Sequence, residues 1–291
     1  MTSLLNFLRT RNHARLLAGF FLLLSFASAG LSSAPESEAS PPAQVPTVPG
    51  KSTDGTYYIT EPGVYSGYHF DCPGISLTAY CVKIWTEGGV TLDDFWVTTS
   101  GNAIQADSNT TFTNGEIWAY GGLSANSESR ITIDTVRFNV TRGAIGFQDT
   151  AGGCEGLSTK RSYGHVIRNS TFINQTGNET VWIKCSQSVS VLYNSFRTGG
   201  TWSLSLPDSL DVEINRNVFY VNGGANWLAI ELTRTFNVWI GQNWFVGSGN
   251  SWAIWVNSGT DYLTILDNCV NGIGVLSGDV YASTVARNAV C

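Results

Sequence analysis

Residues 191–196 read Val-Leu-Tyr-Asn-Ser-Phe, and their pattern of apolar first and sixth positions around a fourth-position slot recurs along the chain. Nine copies begin 20 to 34 residues apart: LDDFWV (92–97), FTNGEI (112–117), IDTVRF (133–138), IRNSTF (167–172), VLYNSF (191–196), INRNVF (214–219), IGQNWF (240–245), ILDNCV (265–270) and VARNAV (285–290). The slot is asparagine in the last five copies: Asn194, Asn217, Asn243, Asn268 and Asn288. A repeat of this length predicts a solenoid whose equivalent residues stack about 4.8 Å apart. Each stacked asparagine amide then satisfies polar groups of a turn in a neighbouring coil.

Two further columns support the solenoid. The sixth position of five copies is phenylalanine, and stacked rings fill a core: Phe138, Phe172, Phe196, Phe219 and Phe245. Eight residues before a copy stands a second column of apolar residues: Ile84, Ile104, Ala125, Ile183, Leu206 and Leu232. Phe147 is assigned to the same column, although it stands 20 residues before its copy because of the insertion that follows it. Residues around this column alternate between inward and outward positions, which is typical of a strand. Each unit therefore holds two or three short strands, and the whole predicts about 9–10 coils.

This pattern resembles the right-handed parallel β-helix superfamily with the pectin-lyase-like fold. The resemblance covers residues 56–291 and rests on coil length, the asparagine column, the phenylalanine column and the opening segment GTYYITEPGVY (55–65). It implies an all-β, single-stranded parallel β-helix. A β-sandwich or a propeller is the alternative, but a propeller blade needs about 40 residues and a sandwich has no reason to keep a fixed asparagine slot.

No specific enzyme family of this fold is matched. Of the polygalacturonase-type motifs, only the pair Asp93-Asp94 is present. Glu179 and Lys184 resemble the first half of the Glu and Lys pattern of alginate and chondroitin lyases of this fold. The next coil offers Pro207 and Asp208 where those enzymes have an arginine.

Composition and the N-terminal segment indicate the kind of partner and the cellular location of the protein. Only 13% of the 291 residues are charged and the net charge is −6, so nothing indicates a nucleic-acid partner. Arginines followed by an apolar run (16–26) and Ala27-Ser28-Ala29 predict a signal peptide over 1–29, with an uncleaved anchor as the alternative. A disordered Pro/Ser-rich linker over 30–52 then precedes the β-helix domain over 53–291. We expect a secreted, extracellular protein without a membrane span in its mature chain; its oligomeric state stays open.

Six cysteines in an exported chain predict disulfides, although six cysteines allow fifteen connectivities. Cys72 and Cys81 are close in sequence, and Cys269 and Cys291 belong to the last two units. The remaining two, Cys154 and Cys185, are left to pair.

The repeat register predicts one charged face. An outward column within the second strand reads Lys83, Ala103, Ser124, Gly146, Trp182, Ser205, Glu231 and Trp255. Two columns just after that strand bring further charges to the same face. We predict candidate catalytic residues and candidate substrate-binding residues there: Lys184, Asp208, Glu231 and Arg234 for the first, and Trp182, Trp255, Asp149, Lys160 and Arg161 for the second. Lys160 and Arg161 belong to an inserted loop of about ten extra residues between two copies.

These residue types support two classes of function. Trp rings offer platforms for sugars, Lys or Arg neutralises a uronate carboxylate, and paired carboxylates catalyse hydrolysis. We expect a polysaccharide or cell-wall glycan as partner, acted on by a lyase ahead of a hydrolase or epimerase, or bound without catalysis by an adhesion or structural solenoid. The charges could equally form an ion-pair ladder between coils. No cofactor or metal motif stands out, although Asp149 with Asp208 could hold Ca²⁺ weakly.

Overall fold

The computed structural model describes residues 49–86, 88–107, 109–126, 130–148, 162–176, 179–221, 227–249, 251–278 and 283–291. These residues form strands joined by turns, without a helix that is long and apolar enough to cross a membrane. The strands are β1 (Gly50–Lys51), β2 (Tyr57–Ile59), β3 (Gly63–Ser66), β4 (His69–Cys72), β5 (Tyr80–Ile84), β6 (Val90–Asp93), β7 (Trp96–Thr99), β8 (Asn102–Ala106), β9 (Thr110–Ala119), β10 (Gly121–Asn126), β11 (Ile131–Val140), β12 (Ile145–Gln148), β13 (Ser162–Tyr163), β14 (Val166–Arg168), β15 (Thr171–Asn174), β16 (Glu179–Ile183), β17 (Ser186–Leu192), β18 (Ser195–Thr198), β19 (Trp202–Pro207), β20 (Leu210–Asn215), β21 (Val218–Val221), β22 (Leu228–Thr233), β23 (Phe236–Gly241), β24 (Trp244–Gly247), β25 (Trp252–Val256), β26 (Asp261–Leu266), β27 (Cys269–Asn271), β28 (Gly274–Gly278), β29 (Thr284–Ala286) and β30 (Ala289–Val290).

The strands stack into three parallel ladders along one solenoid. The first sheet runs in the order β1-β2-β5-β8-β10-β12-β16-β19-β22-β25-β28, and β1 alone is antiparallel to its neighbour. The second sheet contains β3, β6, β13, β14, β17, β20, β23, β26 and β29, and the third contains β4, β7, β15, β18, β21, β24, β27 and β30. The long strands β9 and β11 run through the corner between the second and third sheets. The predicted parallel β-helix is confirmed.

The solenoid makes about eight full turns. The sequence predicted 9–10 coils. Strand β1 pairs with β2, so the folded part begins before residue 53, within the stretch assigned to the linker. Residues 1–48 lie outside the described residues, and the signal peptide and the rest of the linker stay predictions.

The predicted outward column is correct except in one coil. Strand β8 places Gln105, not Ala103, beside Lys83 and Ser124, and Ala103 is buried. The reason is a shorter connection after this strand: Ala106, six residues before the next motif, takes the inward place that the sequence assigns to Ile104.

The asparagine ladder forms at the corner between the second and third sheets. The Oδ1 of Asn217 accepts hydrogen bonds from the backbone N–H of Asn194 at 2.8 Å and from its Nδ2 at 3.0 Å. The Nδ2 of Asn217 donates to the carbonyl of Val191 at 2.8 Å and to the Oδ1 of Asn243 at 3.0 Å. The same pattern continues through Asn268 to Asn288. Each coil thereby supplies the acceptor that the preceding coil's corner lacks.

The residue before each slot adopts a left-handed backbone conformation, with φ between 50° and 59°: Asp94, Asn114, Thr135, Asn169, Tyr193, Arg216, Gln242, Asp267 and Arg287. Side chains such as Tyr, Arg and Thr disfavour this region by about 1–2 kcal/mol each. The hydrogen bonds of the following residue hold the turn in place. Ser170 extends the ladder, because its N–H donates to Oδ1 of Asn194 and its Oγ accepts from the N–H of Val136.

Aromatic and hydroxyl columns complete the interior. The five predicted phenylalanines stack with ring centroids 4.7 to 5.0 Å apart, and all are buried. A second buried column of hydroxyl residues follows the first sheet: Ser186, Ser209, Thr235 and Thr260. Its members bond between coils, since Oγ1 of Thr235 donates to the carbonyl of Leu206 at 2.6 Å. Side-chain hydrogen bonds therefore link the coils at two corners, the one after the first sheet and the one between the second and third sheets.

Two predicted disulfides are confirmed, Cys72–Cys81 and Cys269–Cys291. The first lies at the N-terminal end of the solenoid and the second at its C-terminal end. Cys185 is also disulfide-bonded. Its predicted partner, Cys154, lies outside the described residues, so that pairing stays a prediction.

We predict that replacing Asn217 with leucine lowers the free energy of unfolding by at least about 3 kcal/mol. The change leaves the N–H and Nδ2 of Asn194 without their acceptor, and each buried unsatisfied group costs about 1–3 kcal/mol. Urea denaturation followed by circular dichroism measures the loss. Thr264→Val, on the outer face of β26, is the matched control and should change stability by less than about 0.5 kcal/mol. Equal stabilities of the two variants would contradict the role of the ladder.

Candidate functional site

The outer face of the first sheet carries the predicted site. Register pairs align Gly146, Trp182, Ser205, Glu231, Trp255 and Ser277 in one outward column. Trp182 and Trp255 are three coils apart, about 14 Å along the stack. Both rings are half-buried, with Glu231 between them. Trp182, Glu231 and Trp255 therefore share one face, as the repeat register predicts.

Glu231 is held by neighbours from adjacent coils. Its Oε2 accepts from Oγ of Ser205 at 2.8 Å, and its Oε1 accepts from Nδ2 of Asn257 at 3.1 Å. Asn257 in turn accepts from Nε1 of Trp255 at 2.7 Å and donates to Oγ1 of Thr233 at 2.8 Å. This network fixes the orientation of both the carboxylate and the indole. Glu231 therefore presents a rigid acceptor on the face.

Asp208 and Arg234 form an ion pair at the turn that follows the first sheet. Nε of Arg234 lies 2.5 Å from Oδ1 of Asp208, and Nη2 lies 2.8 Å from Oδ2. The Asp208 side chain is only 5% exposed, whereas that of Arg234 is 57% exposed. Both residues have positive φ. The bidentate pair joins two adjacent coils, and this geometry favours a structural role for Asp208.

Lys184 lies at the same turn one coil earlier. Its backbone N–H donates to the carbonyl of Phe147 at 3.0 Å. Its half-buried side chain makes no hydrogen bond or ion pair with a residue that the structure describes. Lys184 is thus the predicted catalytic residue whose ionisable group is least committed to the scaffold.

Three predicted substrate-binding residues, Asp149, Lys160 and Arg161, lie outside the described residues. Their place relative to this face stays a prediction. The same holds for the weak Ca²⁺ site, because Asp149 was one of its two ligands. Within the described ranges no cluster of three or more His, Cys, Asp or Glu side chains is arranged to hold a metal ion.

A cleft of about 480 Å³ lies on the first sheet, on the N-terminal side of Trp182. Tyr80, Tyr120 and Trp182 contribute its aromatic lining, and Arg142 and Glu179 are its charged residues. Sequence reasoning identified Trp182 but missed the other four. They come from four different coils and occupy two adjacent repeat positions at the start of the first-sheet strands, where Tyr80 is equivalent to Glu179 and Tyr120 to Arg142. The predicted outward column did not include these positions.

Glycines make room for this cleft. At Gly146 an added Cβ would meet no atom within 4 Å, whereas at Gly122 it would lie 2.0 Å from the carbonyl oxygen of Ala144. Gly122 is therefore required by close backbone approach. Gly146 leaves open space directly beside Trp182 in the register. A side chain at residue 146 would occupy the cleft.

His165 is not part of this face. It is 1% exposed, stacks on Phe147 at 4.5 Å, and its Nδ1 accepts from the N–H of Ile131 at 3.3 Å. Burial lowers the pKa of its imidazole from 6.5 to about 4. The ring is therefore neutral at pH 7 and packs in the core, as a structural histidine does.

Comparisons with known proteins agree only on fold type. No family model matches the chain, and no curated protein matches it. Among solved structures, the chain is similar to PfbA, a surface adhesin of Streptococcus pneumoniae, with 14% identity, 81% of this chain and 82% of that chain covered, and a TM-score of 0.44. It is similar to a mutant of the periplasmic alginate epimerase AlgG, with 10% identity, 81% and 82% covered, and a TM-score of 0.40. It is also similar to tailspike protein 3 of bacteriophage CBA120, with 10% identity, 81% and 55% covered, and a TM-score of 0.34. Similarity at this level says nothing about what this chain binds.

We predict that Asp208→Asn lowers the free energy of unfolding by about 1–2 kcal/mol, because the amide loses both the charge and one of two acceptors for Arg234. Lys184→Ala is the matched control at the same turn, and its stability should stay within about 0.5 kcal/mol of the wild type. Thermal and urea unfolding measure both. A fully stable Asp208→Asn variant would show that the ion pair does not support the turn.

Proposed function

We propose that this chain is a carbohydrate-binding β-helix whose binding surface is the outer face of the first sheet. The observation that carries the proposal is the aromatic cleft beside Trp182, continued along the face by Glu231 and Trp255. Pyranose rings have apolar faces that pack on indole and phenol rings, and hydroxyl groups that donate to fixed carboxylates. The face supplies both kinds of contact at a spacing set by the coils.

Binding without catalysis fits the ionisable groups best. Asp208 is paired with Arg234, and Glu231 already accepts two hydrogen bonds. Two free carboxylates on opposite sides of a glycosidic bond are needed for hydrolysis. In this arrangement the acids hold the scaffold and orient sugar contacts. A secreted or surface-exposed role in adhesion to a polysaccharide or cell-wall glycan is consistent with it.

The experiment compares Gly146→Val and Trp182→Ala with wild type on an array of plant, algal and bacterial polysaccharides. We expect both variants to lose binding by at least tenfold, because valine fills the cleft and alanine removes its aromatic wall. Ser277→Val, in the same outward column but outside the cleft, is the matched control and should bind as wild type. Wild-type levels of binding by both cleft variants would refute the proposal.

Polysaccharide cleavage on the same face is the second candidate. It is favoured by Lys184, whose amine makes no ion pair with a described residue. Lys184 follows the strand that carries Trp182, and Asp208 lies at the same turn of the next coil. As a neutral base it would take the C5 proton of a uronate. The C4–O bond then breaks, a C4=C5 double bond forms, and the leaving oxygen takes a proton from an acid.

Ultraviolet absorbance of unsaturated uronates, together with assays for new reducing ends, decides between non-catalytic binding and polysaccharide cleavage. Product formation that Lys184→Ala abolishes while glycan binding persists would establish a lyase. Binding without either product establishes the non-catalytic role.

A further inference from the structure

The third sheet presents a separate outer face in the C-terminal half of the solenoid. Strands β15, β18, β21 and β24 stack in register there. Their outward positions are Thr171, Ile173, Ser195, Arg197, Val218, Tyr220, Trp244 and Val246. Arg197 is the one charged residue in this set, and Trp244 is 50% exposed. The face is thus aromatic, hydroxyl-bearing and free of acidic side chains.

The guanidinium of Arg197 is oriented on this face by an aromatic ring. Its guanidinium carbon lies 5.2 Å from the centroid of the Tyr220 ring, one coil away. An open groove of about 480 Å³ runs beside the pair and is also lined by Thr198 and Gly199. Stacking on a ring orients a guanidinium while leaving its edge N–H groups available to an acceptor.

The charge of Arg197 has no counterpart among the described residues. Three other exposed arginines differ from it, because Arg168, Arg234 and Arg287 each lie within 2.8 Å of an aspartate oxygen. Arg197 therefore offers a guanidinium that is oriented by a ring and forms no ion pair with a described residue.

We propose that this face is a second carbohydrate site, distinct from the first sheet, and that it binds a carboxylate-bearing sugar. The carboxylate of a uronate matches the fork of Arg197, which donates two parallel N–H···O bonds. Tyr220 then contacts the sugar ring, and Ser195 lies beside Arg197 in the outward row. Trp244 lies two coils from Arg197, about 10 Å along the stack, so a short oligosaccharide reaches both. The complementary charge selects acidic glycans over neutral ones.

The test is calorimetric titration with a short oligogalacturonide and its neutral, carboxyl-reduced counterpart. Variants are made in the Gly146→Val background, so that the first-sheet cleft is filled. We expect Arg197→Gln to weaken oligogalacturonide binding at least tenfold, and the neutral counterpart to bind no better to the parent than to the variant. Added salt should weaken binding to the parent more than to the variant.

Arg216→Gln is the matched control. Arg216 also stacks on a tyrosine, at 5.4 Å from the Tyr193 ring, but its Nε donates to Oε1 of Gln242 at 2.7 Å. This control should bind the oligogalacturonide as the parent does. Equal losses in both variants would indicate a general charge effect and overturn the site, as would an unchanged affinity of Arg197→Gln or no binding to the parent.

The proposal for the first-sheet site and the proposal for the Arg197 site can be refuted independently. If Gly146→Val abolishes all binding and Arg197→Gln in the otherwise native chain has no effect, the first-sheet proposal stands and the second site is refuted. If Arg197→Gln weakens binding while Gly146→Val does not, the second site stands alone. Circular dichroism of every variant confirms that the solenoid is folded.

Discussion

The fold depends on one requirement: every coil must satisfy the backbone N–H groups at the tight corner between its second and third sheets. The corner residue sits at positive φ, and the buried amide of the next residue bonds forward and backward along the stack. From Ser170 to Asn288, one polar side chain in each coil thus links the corners of successive coils and fixes the register of the strands on both sides. Where the asparagine column ends, Ser170 takes over its bonding. In the first two copies the slot residues are Phe95 and Gly115, and the corner is packed instead: the Phe95 ring lies over Gly115, where an added Cβ would be 2.1 Å from the ring.

Register at this corner determines every surface of the molecule. Because coils stack at a constant spacing, one outward position in each coil becomes a continuous row. Residues more than seventy positions apart, such as Trp182 and Trp255, therefore share a face. The same stacking brings Tyr120, Arg142 and Glu179 into one cleft. A scaffold of this type builds extended binding surfaces at little cost to its core, since the core columns and the surface rows alternate.

Scarcity of charge shapes how the surface works. Several of the few charged residues are used between coils, as Asp208 with Arg234 and Asp267 with Arg287 show. An exposed pair such as Asp267 with Arg287 contributes little stability, whereas Asp208 is buried in its pair. Both pairs leave few ionisable groups for chemistry. The exceptions stand out for that reason. Lys184 on the first face and Arg197 on the third form no ion pair with a described residue, and Arg197 stacks on Tyr220.

The sequence by itself determined the solenoid, because a fixed asparagine slot and a phenylalanine column are periodic and local signals. It also predicted the shared face of Trp182, Glu231 and Trp255, which follows from counting residues within each unit, and it suggested two disulfides that the structure confirms. Only the tertiary structure decided the register of β8, where a shorter connection moved Gln105 outward. Only it showed that the carboxylate of Asp208 is paired. The cleft and the Arg197 face also required the structure, because the open space beside Gly146 and the stacking of Arg197 on Tyr220 depend on how neighbouring strands and turns are placed.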